Sequence, residues 1–181
     1  MTNTAYLKLI SGHRPLIIPA NDGTQTSLRA LFDGNDKNPH TWPLGNSSQP
    51  ASEMPVKVYQ GIRDGTLVDI YTSTSLAWKY LCIPQSHVVS FIFTHRRWIL
   101  SGKSFFFLLK KVGTVPAIVK EDFFAVMCRL ENVRLLRFDT CRLVPGALFQ
   151  WKAEHENRFV IPASATFACH MEATQEDSVV I

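Results

Sequence analysis

At 181 residues, 46% hydrophobic and 19% charged, the chain is long enough to bury the core of one domain and too apolar for wholesale disorder. No apolar run approaches the roughly 18 residues that cross a bilayer. The opening MTNTAYLKLISGHRP also lacks the basic-then-apolar order of a secretory leader, so a cytoplasmic protein without membrane contact is expected. The formal charge of +4 is unevenly placed: residues 88–142 hold ten Lys and Arg against four acids, whereas two cations face five acids from residue 143 onward. That distribution suits the middle of the chain to a polyanion or an acidic protein surface.

In chain order, residues 6–10 and 16–18 read as strands around Gly12, and residues 28–32 as a brief helix capped by Thr26 or Ser27 and stopped by Gly34. Residues 34–55 hold four of the ten prolines and predict a long loop, anchored by the indole of Trp42. Residues 56–59 and 67–71 flank Gly61 and Asp64-Gly65, which predicts a hairpin, and residues 72–75 offer caps for a helix through Cys82 that Pro84 ends. Three short apolar runs follow, 88–93, 98–100 and 105–109. They predict antiparallel strands with turns at 94–97 and 101–104. Phe123, Met127 and Leu130 then fall at helical spacing, with Glu121 and Asp122 in the first turn and Arg129 near the last, the order a helix dipole favours. Residues 133–143, 147–151, 158–161 and 166–171 predict strands, and 172–181 a loose acidic tail. The expected fold is α+β, a single compact domain with a mostly antiparallel sheet and two or three helices.

Two constellations carry chemistry. Gly102-Lys103-Ser104 has the ending of a phosphate loop, but Arg97 stands where the first glycine belongs and a strand follows where a helix should open, so it reads as a turn. The cations His95, Arg96, Arg97, Lys103, Lys110, Lys111, Arg134 and Arg137, interleaved with Trp98 and Phe105 to Phe107, form the candidate binding patch. Cations neutralise phosphates and aromatic faces stack on bases. The four cysteines are widely spaced with no C-x-x-C pair, and Cys169 and His170 would point to opposite faces of a strand, so reduced core thiols are expected, with no metal and no cofactor.

Tyr59-Gln60-Gly61, Tyr71 to Ser75 and Glu154-His155-Glu156 occur in the order of the three conserved elements of ADP-ribosyltransferases, and in those fragments the chain resembles that family. The resemblance implies a ribosyl-transfer site with Glu156 stabilising an oxocarbenium-like centre. Gln60 departs from the pattern, standing where the family has Arg or His, and the first two elements are closely spaced. A metal-independent ribonuclease using His95 or His155 with Arg97 and Lys103 is a further enzymatic reading.

The leading expectation is a non-catalytic interaction protein that docks on a protein or ribonucleoprotein complex. Its class analogy is with phage- or plasmid-type inhibitors of host nucleic-acid-handling or defence complexes, as anti-CRISPR proteins are. The alternative is direct binding of single-stranded RNA or DNA by the basic middle of the chain.

Overall fold

The computed structural model describes residues 6–23, 50–74, 76–99, 102–110, 122–132, 135–143 and 150–164. Strands β1 (Leu7–Leu9) and β2 (Leu16–Ile18) form on either side of Gly12, whose φ of +81° favours a residue without a Cβ. Both lie antiparallel to β3 (Met54–Gly61), at its two ends. A two-residue β4 (Gly65–Thr66) leads into helix α1 (Leu67–Ser73), and helices α2 (Gln85–Thr94) and α3 (Arg96–Ile99) follow. Then come β5 (Phe105–Lys110), β6 (Phe123–Asn132), β7 (Leu135–Leu143), β8 (Gln150–Trp151) and β9 (Arg158–Pro162). The main sheet has seven strands in the order β1-β3-β9-β5-β6-β7, with β2 also on β3, and β4 pairs separately with β8. It is an α+β fold whose described strand pairs are antiparallel apart from β5 with β9.

Register sorts the side chains onto two faces. Val58, Val160, Phe107 and Val126 lie across from one another on the first face, where Val88, Val89, Phe91 and Ile92 of α2 and Ile99 of α3 cover them. Tyr59, Phe159 and Phe106 lie across from one another on the second, beneath Leu67, Ile70 and Tyr71 of α1 and Leu81. Each buried Phe or Leu contributes about 1.5–3 kcal/mol by leaving water. The two cores share the sheet, which explains why all five residues from Phe105 to Leu109 are buried.

Several expectations need correction. Residues 88–93 are not a strand but the middle of α2, and the 98–100 segment begins inside α3. The β-branched and aromatic run favours strand locally, yet the spacing 88, 91, 92 builds one helical face that the sheet buries, and burial outweighs propensity. The helix expected around Phe123, Met127 and Leu130 is β6. A strand flanked by β5 and β7 is covered on both faces, so Phe123 to Val126 lose the alternation that identifies strands. Asp122 caps no helix there; its carboxylate accepts from Arg142 at 2.6 Å.

The second strand of the expected hairpin, 67–71, is α1. Thr66 and Asp69 close a capping box ahead of it: the Asp69 N–H donates to Thr66 Oγ1 at 3.1 Å, and the Thr66 N–H donates to Asp69 Oδ2 at 2.8 Å. That Thr66 N–H, together with the Thr66 hydroxyl donating to Oδ2 at 2.7 Å, holds the Asp69 carboxyl below the ordinary carboxylate range. The helix expected through Cys82 is reduced to a 3-10 turn, Trp78–Tyr80, whose indole meets Phe123 edge-on at 5.6 Å. Of the loop expected over 34–55, residues 34–49 lie outside the described residues, and Met54 and Pro55 belong to β3. Trp42, the 28–32 helix, the 166–171 strand and the 172–181 tail lie outside the described residues.

Candidate docking surface

Helix α2 ends in an elbow built by His95. Its backbone N–H donates to the Phe91 carbonyl at 2.8 Å, closing α2, and its carbonyl accepts from Trp98 N–H at 2.9 Å, opening α3. Its ring lies 5.0 Å from that of Phe91, and Nε2 donates to the Ile17 carbonyl of β2 at 3.0 Å. At the other end of α2, His87 Nε2 donates to the Ser52 carbonyl at 2.7 Å. A carbonyl can only accept, so both Nε2 atoms carry their proton. The two histidines fasten the helix to the chain beneath it, and His95 has a structural duty that its place in a basic cluster did not reveal.

The elbow turns Phe93, Arg96 and Arg97 outward. Phe93 is 59% exposed on a helix whose Val88 to Ile92 are all buried. Arg96 and Arg97, three and four residues on, are exposed, and neither has an ion-pair partner among the described residues. Ile17 is also exposed, but its neighbours Leu16 and Ile18 pack under α2, so its own side chain points to the other face of the sheet. An aromatic ring and two guanidinium groups without an ion-pair partner among the described residues therefore share one turn of chain.

The other candidate cations are placed elsewhere or engaged. Lys103 follows Gly102, whose φ of +72° makes the expected turn, and its ammonium pairs with Glu156. Glu156 holds the left-handed backbone, φ 48°, that ends the 3-10 turn Ala153–His155. The Lys103 hydrogen bond and charge, with a smaller contribution from Arg158, keep the Glu156 carboxyl below its ordinary value of 4.5. Arg158 lies with its guanidinium 5.4 Å from the Trp98 ring centre and 5.5 Å from that of Phe105, so one face of the indole is already covered. Lys110 stands at the far end of β5, about 17 Å of strand from Phe105. Arg137 sits on β7, 3.5 Å from Asp139. Lys111 and Arg134 lie outside the described residues. The structure thus gathers His95, Arg96 and Arg97 and separates them from Lys110 and Arg137.

The Lys103–Glu156 pair gives a pH-dependent prediction. Because the folded-state value is depressed, the pair's contribution is present above the ordinary Glu value and disappears as pH falls through the folded one. Carbon-detected NMR titration is expected to place the Glu156 midpoint below 4.5, and Lys103→Met to raise it towards 4.5. A midpoint unmoved by the substitution would contradict the assignment.

Of the transferase-like fragments, two meet. Gln60 pairs with Arg158 across β3 and β9, and the Gly61 N–H donates to the Asn157 carbonyl at 2.9 Å, next to Glu156. The hydroxyl element ends α1 over the second face, where Tyr71 packs with Tyr59 and Phe159 while Ser73 and Thr74 donate to the Ile70 and Tyr71 carbonyls of their own helix and not towards Glu156. Among the described residues no three metal-ligating side chains group together. Burial pushes the Cys128 thiol up to about 12 and the Cys141 thiol in the same direction, which disfavours reactive thiolates at neutral pH. No described helix is long and apolar enough to cross a membrane. No family model, no curated protein and no solved structure matches the chain.

Proposed function

We propose that the protein is a binding protein that docks on a macromolecular partner through the α2–α3 elbow, with Phe93 as anchor and Arg96 and Arg97 as flanking cations. The observation that carries this reading is the 59% exposure of Phe93 at the end of an otherwise buried helix. A large aromatic beside arginines is the composition in which binding energy concentrates at protein interfaces. The partner's matching surface is an apolar pocket rimmed by carboxylates. Inhibition of a host nucleic-acid-handling or defence complex is the role we attach to it, since occluding such a complex needs affinity and no bond chemistry.

Single-stranded nucleic acid is the second reading, favoured by the same ring beside two cations. Two phosphate contacts predict a salt slope of only about −1.4 in log–log terms, too shallow for tight binding by charge alone. That magnitude ranks the protein partner first. A photo-crosslinking phenylalanine analogue at position 93, compared in the native host with the same analogue at Tyr80 (60% exposed on the second-face 3-10 turn), tests both. Crosslinking to one protein from position 93 alone supports docking, and crosslinking to RNA or DNA supports the second reading. Equal products from both positions, or none, would remove the elbow from consideration.

A further inference from the structure

The two edges of the sheet are unequal. On one side, β1 and β2 are three residues each, and His95 already engages the outward carbonyl of Ile17. On the other, β7 runs nine residues, Leu135–Leu143, and among the described residues no strand pairs with its outer side. Long edges with open N–H and C=O groups are templates for another strand, and proteins normally shorten or cover them.

The charge pattern of β7 says which strand fits. Phe138 lies across from Cys128 in the first-face core, so Arg137 and Asp139 both stand on the second face, 52% and 45% exposed. When two copies of β7 pair antiparallel about a twofold axis, a continuous sheet keeps each face on its own side, so registers shift in steps of two residues. One central register sets Arg137 against itself, and another sets Asp139 against itself. The register between them, centred on Phe138, sets each Arg137 opposite the Asp139 of the other copy, and Leu136 opposite Thr140. Opposite charges directly across a pair stabilise it and like charges destabilise it.

We propose that β7 is a self-association edge, joining two copies of this chain antiparallel through Phe138 into one continuous sheet. The intrachain Arg137–Asp139 contact becomes two contacts between copies. This surface is at the opposite edge of the sheet from the α2–α3 elbow, so the proposal stands independently of the docking reading, and a dimer leaves both elbows exposed.

Sedimentation of the full chain over a concentration series tests it. The unaltered protein is expected to pass from monomer to dimer mass. Asp139→Arg and Arg137→Asp are each expected to weaken self-association at least about tenfold, because each creates two like-charge pairs in place of two opposite ones. An equimolar mixture of the two variants is expected to form a heterodimer, since each then meets the opposite charge in the other; that recovery also shows both variants folded. Monomer mass at every concentration, Asp139→Arg dimerising like the unaltered protein, or no heterodimer on mixing would overturn the proposal.

Discussion

Phe107→Ala is expected to lower stability by about 3–5 kcal/mol, a large share of the roughly 5–15 kcal/mol that holds a domain folded. Phe107 is fully buried in the middle of β5, between Val160 and Val126 across the strands, with its ring edge-on to Phe91 of α2 at 5.5 Å. Truncation removes the ring's transfer energy and leaves a cavity that two hydrogen-bonded neighbours prevent the sheet from closing. A urea titration reads the loss. Native-state hydrogen exchange is expected to show faster opening of α2 amides, because that helix rests on this face.

Phe159→Ala is expected to cost a similar amount, about 3–5 kcal/mol, with a different local signature. Its ring stacks on Phe106 at 5.2 Å and 18° and meets Tyr71 of α1 edge-on at 6.1 Å. Both contacts belong to the second face, so exchange is expected to accelerate in α1 and not preferentially in α2. If both variants opened the same helix first, the division of the sheet into two cores would be wrong. Phe107 and Phe159 lie one strand position out of register on β5 and β9, where Phe106 faces Phe159 and Phe107 faces Val160, so the cavities open on opposite sides.

Much of the sheet was legible in the sequence where turns are local. Gly12 separates β1 from β2, Gly102 precedes β5, and the basic and apolar runs of β7 and β9 stand where they were expected. The failures share a physical cause, which is burial on more than one side. In β6, coverage on both faces erased the alternation, and Phe123, Met127 and Leu130 happened to fit a helical spacing. In α2, valines and phenylalanines masked a helix that Pro84 at its start and the 88, 91, 92 spacing would have marked. In α1, the local signal is the Thr66-x-x-Asp69 box, which starts the helix ahead of the hydroxyls at 72–75.

The candidate surface followed the same division. Arg96 and Arg97 stood out as adjacent cations with no nearby acid in sequence. Phe93 did not, because as a strand residue it reads as core; only the helix turns it out. Lys103 was grouped with the arginines, yet its partner Glu156 is brought beside it by the parallel pairing of β5 with β9, which no local pattern encodes.

Every functional statement about the elbow depends on α2 being a helix that breaks at His95. Backbone carbon chemical shifts test that most directly. Helical values are expected over Gln85–Thr94, a break at His95, helical values again over Arg96–Ile99, and strand values over Phe105–Lys110 and Phe123–Asn132. Strand values across residues 88–93 would return Phe93 to a sheet face, scatter the ring from its two arginines, and contradict the docking surface.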